Sequence, residues 1–376
     1  MTHGAFLVDL IDRDDVVDLR LTVASRSLNT MTTIQCPLNK AAHISMNESA
    51  IISADGALLF TETEQCVVAT AELLTGKGVK AGDRVGLLVK AGWEEVILFW
   101  SLLRIGAVVC PLGGWAEEGP LEQAVQVVGI GWVIQDGSQA APEGIPTLEV
   151  KDLVGFTGRF KKEYRPVLEL DREAVVLSCG GGGEGLSFCT HSVGSLYYAA
   201  LSGNGTLPLR SSAKNHWALE PLWSFQGMDT LFRCAVAGAT VAVGMSRPPS
   251  LEEINKLEVT HLTVGADGVD ALQAQLAGAE TELTHVLVHG AIRREQAEAL
   301  RASGLHVVMA LGQAETGFYA VLDREGRIHP IRGSQVKPDA DGTLLVKGKT
   351  LAREVAGDWF KTGHAEGERE KKRSKE

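Results

Sequence analysis

An α/β protein built from mainly parallel sheets layered with helices is the fold class that this 376-residue sequence predicts. Three observations predict it. Strand and helix signals alternate from Ala50 to Ala310, and short apolar runs such as Val108-Val109-Cys110 and Ala174-Val175-Val176-Leu177 read as buried strands. Gly and Asp-Gly punctuate the junctions. Such alternation calls for crossover helices, which impose parallel pairing.

Residues 1–30 differ in texture from the rest and are expected to be an extension. They open MTHGAFLVDLIDRDD, with acids where a secretion signal would be basic, and Met31 begins a stretch that reads like a natural start. Residues 31–170 form the first expected α/β subdomain. Ala50 to Ser53 and Leu58 to Phe60, around Asp55-Gly56, predict a hairpin. A helix is expected from about Glu64 to Thr75, with Val67, Val68, Ala71 and Leu74 at helical spacing, until Gly76-Lys77-Gly78 stops it. Strand Arg84 to Val89, helix Trp93 to Leu103, strand Val108 to Leu112, helix Leu121 to Val128 and strand Gly131 to Ile134 complete a βαβαβ succession. Residues 136–147 are a loop by composition, and Lys151 to Asp171 is a polar bridge.

Residues 171–317 form the second α/β subdomain. It starts with strand 174–177 and a glycine loop. Then come a helix from His191 to Ser202 capped by Ser192, a helix from Phe232 to Ala237 and a strand from Thr240. Helix–strand repeats follow to Ala310. Residues 318–367 read as a small β subdomain, and 368–376 as a solvated charged tail.

Hydrophobic residues make up 45% and charged residues 22%, an ordinary globular composition. A net charge of −11 argues against nucleic acid, which needs clustered Lys and Arg, and leaves small anionic ligands open. The six cysteines show no CxxC pair and read as free thiols of a reducing cytoplasm. No apolar run approaches the roughly 20 residues of a membrane span.

The segment Ser178 to His191 reads SCGGGGEGLSFCTH. Four glycines after a strand expose many backbone N–H groups, the physical recipe for cradling phosphate. The loop lacks the lysine and most hydroxyls that would strengthen such a cradle. A glycine-rich surface loop without a ligand is the competing reading. A dinucleotide turn is disfavoured, because no GxGxxG spacing with a later acidic residue is present.

Further segments complete a pattern. They are GVKAGDRVGLLVKAGWEEVILFWSLLRIGAVVCPL (Gly78 to Leu112), PLWSFQGMDTLFRCAVAGATVAV (Pro221 to Val243), LVHGAIRREQAEALRASGLHVVMALGQAETG (Leu287 to Gly317) and GDWFKTGHAEG (Gly357 to Gly367). In this order they resemble the adenylate-forming superfamily of acyl-CoA synthetases and luciferases, from about Met31 to Gly367. The resemblance implies the large N-terminal domain of these enzymes, with two α/β sheet layers and a small β subdomain. It also implies ATP and Mg²⁺ as cofactors, a small carboxylic acid as substrate, and CoA as acceptor. Insert lengths and the PLW…G pattern look most like o-succinylbenzoate–CoA ligases of menaquinone synthesis.

The resemblance also assigns residues. Ser178, Gly180, Gly181, Gly182 and Gly183 stand in the phosphate loop, whose lysine position falls on Leu186 or Gly185. Trp223, Ser224, Phe225 and Gly227 stand at the acyl pocket, with Ser224 where a histidine is usual; core packing is the other reading of the aromatics. Gly290 and Ala291 stand where backbone touches adenine, and Leu311, before Gly312, where an aromatic ring usually stacks on the base. Ala314 replaces a phosphate-contacting threonine, whereas Glu315 keeps the magnesium-binding carboxylate. His364 replaces the ribose-binding aspartate, and neutral imidazole has only one acceptor nitrogen.

The family continues into a mobile C-terminal domain that carries an adenylation lysine. The sequence stops shortly after Gly367, so that domain is expected to be absent. The expected function is therefore a degenerate, truncated AMP-forming acid–CoA ligase homologue that is weak or noncatalytic and still binds a nucleotide, an acyl ligand or a protein partner. The alternative is an active ligase completed by a separate C-terminal domain.

Overall fold

The structure, a computed structural model, describes residues 32–115, 121–155, 163–179, 187–207, 209, 216–246, 248–290 and 292–365. The expected extension 1–30 and tail 368–376 lie outside the described residues.

Among the described residues two large sheets carry the fold. The larger runs in the order Ile328–Pro330, Gly317–Leu322, His306–Gln313, His285–His289, His261–Gly265, His216–Ala218, Thr240–Ala242, Ser49–Ser53, Gly56–Leu59. Its central strands are parallel, and antiparallel hairpins close both edges. The second sheet runs Phe188–Ser192, Glu173–Ser178, Val108–Pro111, Arg84–Leu88, Trp132–Gln135, Thr147–Glu149. It is parallel except for Phe188–Ser192, which folds back on Glu173–Ser178. A small antiparallel sheet joins Ser334–Pro338, Thr343–Gly348 and Phe360–Ala365. Thr33–Gln35 pairs with Val167–Glu169.

The sheets interleave along the chain. The early hairpin Ser49–Leu59 joins the larger sheet, while Glu173–Ser178 joins the smaller one beside strands from the first half. A sequence boundary at 170/171 therefore does not separate the sheets, because each strand docks where its apolar faces find cover rather than beside its neighbour in sequence.

Helices Phe60–Gly76, Trp93–Ile105, Val193–Thr206 and Phe225–Ala237 share one core with both sheets. Leu87, Val109 and Val175 enter it from one sheet and Ile51, Trp217 and Val241 from the other. Phe99 and Phe232 meet edge to face at 6.1 Å, and Trp100 lies 5.1 Å from Phe232. Each fully buried side chain of this size contributes roughly 1.5–3 kcal/mol.

Trp93–Ile105 forms because local signals agree: Glu94 and Glu95 complement the positive end of the helix dipole and Arg104 the negative end. Arg104 then reaches Glu64 with a two-pronged fork, at 2.9 and 3.0 Å, pinning this helix to Phe60–Gly76.

All six cysteines are free thiols, Cys179 half-buried and the others buried. Burial pushes the Cys66 thiol up to about 11 and the Cys110 thiol up to about 12, which keeps both protonated.

Candidate nucleotide and acyl site

The strands that flank the glycine run in sequence pair with each other. Glu173–Ser178 precedes the run and Phe188–Ser192 follows it, with Ser178 opposite Phe188 and the Cys179 N–H donating to the Ser187 carbonyl at 2.9 Å. Ser178 is half-buried at the end of its strand. Gly180, Gly181, Gly182 and Gly183 lie outside the described residues, as does Ala291. His191, expected to begin a helix, belongs to the returning strand; the helix starts at Val193, and Ser192 caps it by accepting the Ser195 N–H at 3.0 Å.

The PLWSFQG segment separates by role. Ser224 is the N-cap of Phe225–Ala237: its hydroxyl accepts the Gly227 N–H at 3.1 Å and donates to the Pro221 carbonyl at 2.7 Å. Ser224, expected in the acyl pocket, thus spends its hydrogen bonds on the helix start, and Gly227 packs on the Pro221 carbonyl there. Phe225 is buried, edge-on to Phe318 at 5.6 Å and 5.4 Å from the His191 ring. Trp223 is half-buried and covers Gly114 so closely that a β-carbon there would fall 2.4 Å from the indole. Of the two aromatic residues here Phe225 is buried and Trp223 is left half-buried.

In the next segment Gly290 ends strand His285–His289 and donates its N–H to the Ala310 carbonyl at 3.0 Å. His289 Nε2 lies 2.9 Å from the Gly312 carbonyl oxygen, which only accepts, so the ring proton sits on Nε2. Burial pushes the His289 pKa down and keeps it neutral.

The resemblance puts Leu311 where an aromatic ring usually stacks on adenine. It is buried with Tyr319, Leu344, Val346 and Leu351, against strand Thr343–Gly348. The strand alternation that turns Leu311 inward is the physical reason.

Glu315 lies in the turn between His306–Gln313 and Gly317–Leu322, its carboxylate accepting from Gln313 Nε2 at 3.0 Å. His364 lies on Phe360–Ala365 with Nδ1 2.9 Å from the Tyr319 hydroxyl.

These contacts bring the predicted segments together. His191 reaches Ala314, Phe225 touches Phe318, His289 binds Gly312, and Tyr319 holds His364. His191, Phe318 and Tyr319 were not singled out from the sequence. Only the alternation of GFYAVL hinted at the last two, which face opposite cores. Among the described residues no three His, Cys, Asp or Glu side chains converge as a metal cage.

The AMP-binding enzyme family matches residues 38–170. The 2-succinylbenzoate–CoA ligase of Geobacillus kaustophilus is 24% identical over 353 residues, covering 87% of this chain and 68% of that protein. The o-succinylbenzoate CoA synthetase of Bacillus subtilis, solved with ATP and magnesium ion, superposes with a TM-score of 0.78 at 20% identity, covering 88% of this chain and 77% of the other. Over these spans the chain is similar to adenylate-forming enzymes, o-succinylbenzoate–CoA ligases among them.

The superfamily likeness extends to the phenyloxazoline synthase MbtB of a Mycobacterium species, 26% identical over 141 residues. The match takes in 38% of this chain and spans only 12% of that longer protein. The architecture is that of the N-terminal domain of adenylate-forming enzymes. Among the described residues no helix is long and apolar enough to cross a membrane.

Proposed function

We propose that this chain binds a nucleotide or an acyl ligand on the scaffold of an AMP-forming acid–CoA ligase and has lost most adenylation chemistry. One observation carries the reading: His364, where the family places a ribose-binding carboxylate, is engaged by Tyr319 at 2.9 Å. A carboxylate accepts from two ribose hydroxyls. A neutral imidazole has one acceptor nitrogen, and with Nδ1 paired to the phenol inside the protein His364 cannot match the two acceptors of a carboxylate.

Two sequence features point the same way. No lysine follows the glycines, and Ala314 lacks a hydroxyl. Each charge-assisted hydrogen bond lost removes roughly 1.5–3 kcal/mol of phosphate stabilisation. The backbone donors of Gly180 to Gly183 and the carboxylate of Glu315 remain. Magnesium at Glu315 would neutralise charge on phosphate oxygens. The acyl ligand would be a small carboxylic acid lying beside Trp223, with CoA as its acceptor if transfer survives.

The held Glu315 carboxylate favours a second reading, an active o-succinylbenzoate–CoA ligase-like enzyme completed by a further domain. Calorimetric titration with MgATP, followed by ATP–pyrophosphate exchange over a panel of acids that includes o-succinylbenzoate, separates the two. Weak binding without exchange is expected. Exchange with any acid selects the second reading, and silence in both nucleotide and acid titrations removes the first.

A further inference from the structure

We propose that His191 is a positioning residue that sets the turn carrying Glu315. The inference deepens the nucleotide reading above and rests on it only for its functional consequence.

Three consecutive carbonyls in this turn are each taken by a different donor. His191 Nε2 lies 2.6 Å from the Ala314 oxygen, the Ala352 N–H donates to the Glu315 oxygen at 2.8 Å, and Thr350 Oγ1 donates to the Thr316 oxygen at 2.9 Å. The peptide planes on both sides of Glu315 are therefore held, and Gln313 Nε2 fixes the carboxylate. A carboxylate so constrained does not have to be ordered when a cation arrives, which is what preorganisation means for a charged ligand site.

Of the three donors, His191 is the one on the strand that returns from the glycine run. It therefore relays the position of that strand pair to Glu315. The ring is fully buried, with Nδ1 3.1 Å from Ser195 Oγ and the Phe225 ring 5.4 Å away. Burial pushes its pKa down, so the ring is neutral. A carbonyl cannot donate, hence the proton sits on Nε2 and points at Ala314. A second tie supports the relay, since Glu354 accepts the Thr190 N–H at 2.8 Å from the segment that follows Ala352.

The test compares substitutions that differ in reach. The amide nitrogen of His191→Gln overlays Nε2 and can still donate to Ala314, that of His191→Asn falls short, and His191→Leu donates nothing. Hydrogen exchange across residues 313–317 of the unliganded full chain should quicken about tenfold in the Leu and Asn variants and stay near wild type in Gln. The magnesium concentration that half-saturates ATP binding should rise about fivefold in Leu and Asn and recover in Gln, while ATP binding in excess chelator holds steady. A merely structural loss would weaken both kinds of binding together, and that outcome overturns the inference. Unchanged exchange in a folded Leu or Asn variant overturns it whatever the nucleotide does. A wild-type chain that takes up no MgATP, with exchange responding as expected, overturns the nucleotide reading and supports the positioning role. The Asn variant decides the matter should the Leu variant not fold.

Discussion

The hydroxyl of Tyr319 stands 2.9 Å from Nδ1 of His364, and Tyr319 has no exposed surface. The contact stitches strand Gly317–Leu322 to Phe360–Ala365 and spends an imidazole nitrogen on the protein's own interior. In His364→Asp, one carboxylate oxygen can keep the phenol while the other faces outward. MgATP affinity should rise about tenfold, or ~1.4 kcal/mol, when measured by calorimetry. No change would show that ribose does not reach this strand.

Gly317 adopts φ +62, and a β-carbon there would lie 2.6 Å from Cζ of Phe225. Gly317→Ala combines left-handed strain with a clash against a buried ring. The expected cost is about 1–3 kcal/mol, read as a lower denaturant midpoint with an unchanged slope. A neutral substitution would mean that Phe225 is loosely held, contrary to its edge contact with Phe318.

Ser224→Ala removes the acceptor for the Gly227 N–H and should lower stability by about 1 kcal/mol, whereas Ser224→Asp should restore most of it. Thermal melts of the three proteins check this order. Loss of acid binding with no change in stability would instead return Ser224 to the acyl pocket.

His261, His285 and His306 occupy one row across three parallel strands, with ring centroids 4.4 and 5.2 Å apart. Burial pushes the pKa values of His285 and His306 down; charge on His306 adds to the first effect and Arg301 to the second. The unfolded chain therefore takes up protons before the folded one. Stability is intact above the unfolded value near 6.5, falls as pH drops through it, and is fully lost below the folded values. Asp229 runs the other way, pushed up to about 6 by burial against the pull of Arg233, so its contribution is lost as pH rises through that value. Comparing wild type with His285→Gln cancels Asp229. Between pH 7.5 and 5.5 the wild type should lose more stability than the variant. Equal losses would acquit the row.

Much of the architecture was legible because its signals are local. Helix Leu121–Val128 and strand His285–His289 stand where periodicity places them. The pairing of Thr33–Gln35 with Val167–Glu169 was not legible, since three-residue strands carry no readable alternation. Helix Phe225–Ala237 starts at Phe225 rather than Phe232: Gly227 in its first turn argues against a helix by propensity, and the Ser224 cap and burial override it. At the candidate site, motif order singled out Glu315 and His364. It could not announce His191 or Tyr319, whose roles come from contacts between distant segments. The inward direction of Leu311 depends on how its strand packs, which the sequence does not announce.

The hairpin Ser49–Leu59 completes the larger sheet by pairing Ile51 with Val241. A ribosome adds about 5–20 residues per second, so Ile51 waits roughly 10–40 s for its partner to be made. A lone hairpin is marginal in water. Through that interval an apolar edge is open to any other strand on offer. The sheet that frames the site is thus closed by a piece synthesised long before its partner strand, and that edge needs shelter until the partner arrives.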